Sequence, residues 1–458
     1  MPVVIIGAGC AGLSAAAMLA EAGLHVRVLE SRPRLGGRAT AFADRVTGEL
    51  VDNGQHVLFG CYRETLTFLD RIGARENLRA QPTLSVPFID RSGRRSVLAC
   101  PALPSPLHLL AGILRWDAMP LTQRLPALRI ARPLRAARRA LAHTGHVTAA
   151  MNGRGADLTV SQWLRAHGQS DALTEWLWEP LAVAALNQSP DEARAEPFVR
   201  VLAEMFGPDA SASALLLPTR PLHEMYAEPA RLFIEHHGGE VRTNATAKIV
   251  TDQERVLGVD VRGEYIEATH VISTVPWTSI RTLFAEPVPG ALAGLIAGAA
   301  AMQSEAIVTV NLWYDRQVMD DPFVGLPGRS MQWVFEKRLT FGRDASHLSL
   351  VASGANVLAA EHTEDVIARA AAEVAEAIPG ARAASLLRAT VVREKHATFS
   401  LAAGQPPRPP TRTAIKGLLL AGDWTDTDLP GTIESAVVSG HRAAHVILDG
   451  HGLTGGSR

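Results

Sequence analysis

The chain opens on a continuous β-branched run, Val3 to Ile6, the pattern of a short strand covered on both faces. The turn Gly7-Ala8-Gly9-Cys10-Ala11-Gly12 parts it from an alanine-rich helical stretch, Leu13 to Glu21, which breaks at Gly23. A second strand, His25 to Leu29, ends on Glu30. From about Pro82 to Glu228 the apolar residues take helical spacing among prolines and tryptophans, with few strand signals. Strand patterns return at Glu240 to Thr243, Lys248 to Thr251, Val256 to Val261 and Val271 to Val275. Further strands are predicted at Ile307 to Trp313, Met331 to Phe335 and Leu348 to Ala352, and a helix at Glu361 to Ile378. The tail reads as a strand, Gly417 to Ala421, a loop, and a helix from Ile433 to Leu448 with apolar residues three and four apart.

Composition narrows the class. Of 458 residues 47% are hydrophobic and 20% charged, enough apolar material for a large core and too much for a disordered chain. Lys and Arg number 45 against 46 Asp and Glu, so no global field recruits nucleic acid. Three cysteines, Cys10, Cys61 and Cys100, have no metal-ligand spacing and argue against a disulfide framework, which fits a reducing compartment. Pro2 to Ile6 lacks the basic flank and cleavage pattern of a targeting peptide. The longest apolar run, Gly290 to Met302, stops at Gln303-Ser304-Glu305, short of the roughly 18 to 20 residues that span a bilayer. The expectation is a cytoplasmic protein, soluble or peripheral on the inner face of the membrane.

Three stretches carry candidate chemistry. In Gly7-x-Gly9-x-x-Gly12, Gly7 allows a tight turn, Gly9 lets backbone approach a pyrophosphate, and Gly12 permits close helix–strand packing. Cys10 and Ala11 lie in this turn just ahead of the helix, whose free N-terminal N–H groups favour phosphate. Glu30, eighteen residues past Gly12, stands where a carboxylate accepts hydrogen bonds from ribose hydroxyls, with Ser31 and Arg32 beside it. A glycine-rich packing turn would leave Glu30 unexplained. The run Arg32-Pro33-Arg34-Leu35-Gly36-Gly37-Arg38 then brings bare backbone and a guanidinium to the flavin side of a cofactor. A nicotinamide dehydrogenase has no use for this loop, so FAD is expected. Near the end, Gly422-Asp423 closes a strand and suits ribityl or phosphate oxygens. Thr432-Ile433 opens the last helix, whose N-terminus can stabilise negative charge on a reduced flavin.

These blocks predict an α/β fold: a Rossmann-like FAD-binding domain assembled from discontinuous segments, with a mixed α+β substrate domain. The FAD-binding segments are 1–81, 229–285 and 411–458. A helical substrate- or membrane-facing segment takes 82–228, and the rest of the substrate domain 286–410.

The same blocks resemble the amine oxidase and carotenoid desaturase superfamily of FAD enzymes. Gly238-Gly239-Glu240-Val241 and Val271-Ile272-Ser273-Thr274-Val275-Pro276 match its third FAD-domain segment. The resemblance implies that Glu30 holds the adenosine ribose, Arg38 the phosphate–flavin side, Val241 the adenine through its backbone, and Asp423 the pyrophosphate or ribityl chain. A narrower likeness spans nearly the whole chain. Val51-Asp52-Asn53-Gly54-Gln55-His56-Val57, Arg393-Glu394-Lys395-His396-Ala397-Thr398-Phe399 and Gly422-Asp423-Trp424-Thr425 are similar to the hydroxysqualene dehydroxylases, squalene-associated FAD proteins of bacterial hopanoid pathways. That likeness implies reductive removal of the hydroxyl from hydroxysqualene to give squalene, and upstream squalene-pathway enzymes as partners.

The residues by themselves reach a flavoenzyme in which the cofactor carries the chemistry, for no nucleophile elbow, cysteine–histidine pair or metal cluster is legible. Asp52 and His56 share a loop just after Gly36-Gly37-Arg38. They read either as a catalytic pair, with His56 an acid toward a departing hydroxyl and Asp52 holding its proton, or as loop bonding that shapes the FAD pocket. Lys395 is left out of the catalytic set. His236-His237 is placed in a helix-end turn and His441 on a solvated helix face. Two other functions stay open: a phytoene-type desaturase, with hydride running from substrate to flavin, and a non-catalytic FAD-containing lipid-binding protein. Between Pro101 and His143, Arg115, Arg124, Arg129, Arg132, Arg135, Arg138 and Arg139 face a single acid, Asp117, among many leucines and Trp116. Such a stretch suits either an anionic membrane surface or an ordinary helical cap with a solvated face.

Overall fold

The computed structural model describes residues 1–453 except 47, 152–156, 208, 286 and 343–345, so 454–458 of the expected closing segment lie outside it. Val3–Ile6 is buried at every position and pairs in parallel with Val26–Leu29 and His270–Ser273. Glu240–Arg242 and Leu418–Leu420 extend the sheet, giving the order 240–242, 26–29, 3–6, 270–273, 418–420. Parallel neighbours cannot be joined by hairpins, so the strands come from three separate stretches of chain. The helices Cys10–Glu21 and Ile433–Gly450 pack on one another and share a core with the sheet, through Leu13, Ala17, Val437, Ala444 and Ile447.

A seven-stranded sheet forms the second body, in the order Leu386–Phe399, Ser304–Tyr314, Ser346–Ser353, Trp333–Glu336, Phe323–Gly325, Ser85–Ile89, Arg95–Ala99. Its pairings are antiparallel apart from the parallel contact of Gly325 with Phe88. Alternation divides its faces. Val308, Val310, Leu348 and Leu350 pack under the helix Thr363–Ala377 through Val366, Ala370 and Val374. Val86, Phe88, Leu98, Phe323 and Val351 join a core with the helical block that includes Leu107–Arg115, Ala131–Thr144, Glu179–Leu186 and Ala195–Met205.

Two stretches differ from the expected elements. The described residues of 82–228 are mainly helical, yet they contribute the hairpin Ser85–Ile89 with Arg95–Ala99 and the strand Leu215–Pro218. Pro87 sits inside the first of these and removes a ladder donor; the strand tolerates it because Phe323–Gly325 meets it only at Phe88. The second stretch is Leu386–Phe399, a fourteen-residue strand unread from the sequence. It is the outermost strand of its sheet, so charged residues are tolerated along it and period-2 apolar alternation is lost. Its register with Ser304–Tyr314 shifts between Glu305 and Ile307.

Candidate active site

A cleft of about 510 Å³ runs along the ends of the parallel strands and under the seven-stranded sheet. Its walls include Gly7, Gly9, Cys10, Ala11, Glu30, Ser31, Arg32, Gly36, Gly37, Arg38, His56, Gly422, Asp423, Thr432 and Ile433. Sequence spacing joined these residues only in three groups; the fold brings them to one surface.

Two glycine loops make the floor. Gly7 has φ +107°, and a Cβ on Gly12 would lie 2.0 Å from the Gly7 carbonyl oxygen. Gly12 therefore packs behind the loop and is absent from the cleft wall. The Gly36 N–H donates to the Ala8 carbonyl at 2.8 Å, tying the second loop to the first. The buried Tyr226 hydroxyl, 2.8 Å from the Gly36 oxygen, supports that loop from below. Gly9 and Gly37 face each other, a Cβ on Gly9 meeting only Gly37 Cα at 3.9 Å.

Glu30 is 6% exposed. Its carboxylate accepts from Ala8 N at 3.0 Å and from Arg32 N at 2.8 Å, which fixes it at the cleft edge with lone pairs to spare. Val241, the expected backbone contact for the adenine, stands on the outermost strand of the parallel sheet. It pairs with Val28, and the cleft wall beyond Glu30 is made by Ala245, Thr246 and Ala247.

At the other end Arg38 pairs with Asp423 and donates to the Ala397 carbonyl at 2.7 Å, lying 5.5 Å from the Trp277 ring centroid. Burial opposes its charge, but Asp423, helped by Glu394, outweighs burial and the pKa stands above the ordinary guanidinium value. Thr432 caps the last helix, its hydroxyl accepting from Ser435 N at 3.1 Å. The buried Glu434 carboxylate accepts from Glu64 N and Thr65 N at 3.0 and 2.9 Å, locking this helix to the start of Arg63–Arg71.

The loop 52–57 departs from its expected bonding. Asp52 is 3% exposed and absent from the cleft wall. Its carboxylate takes Lys337 Nζ at 2.8 Å and Leu222 N at 3.0 Å, and no hydrogen bond to His56. His56 Nδ1 lies 3.1 Å from the Gly54 carbonyl. A carbonyl only accepts, so Nδ1 carries the hydrogen and Nε2 is the acceptor of a neutral ring. Burial pushes the His56 pKa down, and Asp52 only partly opposes this. Burial thus favours the neutral imidazole over the expected proton-bearing ring. His441, expected on a solvated face, is 4% exposed, with Nδ1 2.6 Å from Glu64 Oε2. Tertiary packing of Arg63–Arg71 on the last helix covers it.

Several wall residues were not singled out from sequence. Asn53 Nδ2 donates to Arg38 O at 3.0 Å and to Glu394 Oε2 at 3.1 Å. Glu394 lines the cleft whereas Lys395 is exposed. Both stand on the outer strand next to its register shift, a feature that re-aims side chains. Tyr62, Asn187 and Gln55 complete the wall.

The cleft shares a wall with a second cavity. Gln55, Val57, Tyr62, Ala184, Val351 and Ser353 border both. The second is almost wholly apolar, enclosed by Phe88, Leu98, Leu109, Phe206, Phe323 and Trp333 among others. The pair fits the expected cofactor: facing bare glycines for a pyrophosphate, a carboxylate at one end, a helix N-terminus at the other, and an apolar chamber beyond. Among the described residues no group of three or more His, Cys, Asp and Glu is placed to hold a metal ion.

A model of flavin containing amine oxidoreductases matches residues 10–448. A hydroxysqualene dehydroxylase of Sinorhizobium fredii (strain NBRC 101917 / NGR234) is 30% identical over 450 residues, covering 97% of each chain. A 15-cis-phytoene desaturase of Synechococcus elongatus is 25% identical over 484 residues, covering 98% of this chain and 96% of its own. The crystal structure of an oxidoreductase from Methanosarcina mazei superposes with a TM-score of 0.74 at 19% identity, over 97% of this chain and 100% of that one. This last likeness is one of fold.

Proposed function

The chain belongs to the flavin containing amine oxidoreductase family, and we propose that within it the protein uses FAD to remove the hydroxyl of hydroxysqualene, giving squalene. The observation that carries this reading is the shared wall: a glycine-floored cleft abuts a chamber with almost no polar side chains. A long hydrocarbon is held by apolar area alone, and a charged or amine substrate would find no counter-charge in that chamber. The relative at 30% identity supports the dehydroxylase over the desaturase, whose relative stands at 25%.

When bound, reduced FAD supplies a hydride to the carbon that loses oxygen, and with one proton the hydroxyl leaves as water. The chain's own residues do the rest. Glu30 would hold the adenosine ribose, and Gly7, Gly9, Gly36 and Gly37 admit the pyrophosphate against bare backbone. Arg38, fixed by Asp423 and Ala397, brings positive charge to the phosphate–flavin side. The N-terminus of Ile433–Gly450 offers unpaired N–H groups toward the cleft. Phe88, Leu98, Phe206 and Trp333 exclude water from the reacting carbon.

We also infer that residues 101–143 dock on an anionic lipid surface. Leu103, Leu107, Leu121, Leu125 and Leu128 are exposed, as are Arg115, Arg129, Arg132, Arg135 and Arg139. Trp116 takes no part, being 1% exposed in the core. No helix among the described residues is long and apolar enough to cross a membrane.

The function is tested by incubating flavin-loaded protein with hydroxysqualene and a reductant, and in parallel with phytoene and an oxidant. Squalene in the first mixture and unchanged phytoene in the second are expected. Desaturated phytoene without squalene would establish the rival instead, and inertness in both the lipid carrier.

A further inference from the structure

Gln55 stands on the wall between cleft and chamber, and its side-chain amide has a determined orientation. Oε1 accepts a hydrogen bond from Lys337 Nζ. An ammonium can only donate, so the amide oxygen is turned toward Lys337 and Nε2 away from it. Lys337 is itself held firmly. It is 1% exposed, 2.8 Å from Asp52 Oδ2 and 4.3 Å from the Phe341 ring centroid. Asp52 in turn accepts from Leu222 N, outside the loop. A buried ion pair is an expensive device, since desolvation cancels much of its attraction. Here it holds one neutral amide in one rotamer.

The freed end of that amide is a donor. Nε2 carries two hydrogens, and within its own loop it approaches only the His56 carbonyl, at 3.4 Å, longer than a well-formed bond. Beyond it lies a chamber lined mostly by hydrocarbon, apart from the Tyr62 and Ser353 hydroxyls on the shared wall and the buried indole N–H of Trp333 away from that wall. A long isoprenoid alcohol and the corresponding hydrocarbon fill such a chamber equally well. A polar group on the shared wall, where the chamber meets the cleft, can tell them apart, because a hydrocarbon leaves a buried donor unpaired.

We propose that Gln55 is the residue that recognises the substrate's hydroxyl, its Nε2 donating to the oxygen that departs, with Lys337 and Asp52 as positioning residues that keep the donor end forward. This rests on the dehydroxylase reading and gives it a specificity element: substrate is held by its oxygen, and product, lacking one, is held less and released.

The test titrates flavin-loaded protein with hydroxysqualene and with squalene, reading the flavin absorbance. Gln55→Met keeps the length of the side chain and leaves Lys337 on Asp52. It should bind hydroxysqualene roughly tenfold more weakly, with squalene affinity and flavin content unchanged. Retention of the parental preference, or equal weakening toward both ligands, would overturn the assignment. Should Gln55→Met lose its flavin, Gln55→Glu serves, since a carboxylate still accepts from Lys337 and from the hydroxyl but has no hydrogen to give. Its KM should stay near the parent's while kcat falls at least about tenfold; an unchanged kcat overturns the proposal. A parent that makes no squalene refutes the function itself, a result separable from any property of the variants.

Discussion

His56 is the residue whose chemistry the fold alters most. With Nδ1–H committed to the Gly54 carbonyl and burial favouring the neutral ring, it is a poor proton donor at neutral pH. A His56→Ala protein is therefore expected to keep its FAD and to form squalene at pH 7 with a loss well short of the 10² to 10⁴-fold that a general acid contributes. A larger loss would restore His56 as the acid. The same shift has a stability consequence. The folded pKa lies below the ordinary imidazole value of about 6.5, so on acidification the unfolded chain takes the proton first. The contribution is present above that ordinary value and is withdrawn as pH falls through the lower folded one. Burial shifts His108 and His270 the same way. The midpoint of thermal unfolding should thus drop on going from about pH 7 to about pH 5, and drop less in His56→Ala. Equal drops in the two proteins would remove His56 from the list of contributors.

Among the elements, the helices between Leu107 and Thr144 show how one arginine-rich pattern divides. Leu109, Ile113, Trp116, Ile130 and Leu134 turn into the core, whereas Leu107, Leu121, Leu125 and Leu128 remain outside with the arginines. A solvated cap would carry the arginines without that row of leucines. Binding to anionic vesicles should weaken with salt, since charge attraction is screened over about 8 Å at physiological ionic strength. Replacing Arg132, Arg135 and Arg138 by Gln should lower vesicle binding by about two orders of magnitude, at roughly 1 kcal/mol per charge near the surface, and leave bound FAD untouched. Co-sedimentation of parent and variant to the same extent would return the stretch to an ordinary solvated cap.

For the whole molecule, the parallel sheet is the structure that ties distant segments together. Leu418–Leu420 pairs with His270–Ser273, and the helix after it packs on Cys10–Glu21. Neither the cleft nor the core of the first domain is complete without the last stretch of chain. A protein ending at Pro410 is expected to retain no flavin and to be cut rapidly in limited proteolysis, against a compact, yellow parent. A truncated protein that still binds FAD stoichiometrically would show that the closing segment is dispensable to the cleft.

What the chain determined by itself is local. The run Val3–Ile6, the glycines after it, Glu30 at the next strand's end, Gly36-Gly37-Arg38 and the helix after Thr432 are all legible, because each depends on side-chain size, backbone freedom or periodicity over a few residues. Those signals were enough for a flavin cleft and for where its pieces lie in sequence. The tertiary structure decided everything that depends on which side chain meets which partner. It gave Asp52 to Lys337 rather than to His56 and covered His441 with a neighbouring helix. It also set Gln55 on the wall between two cavities. The reason is physical: hydrogen-bond pairing and desolvation are fixed by packing between residues far apart in sequence, such as Asp52 and Lys337, and no local spacing encodes them.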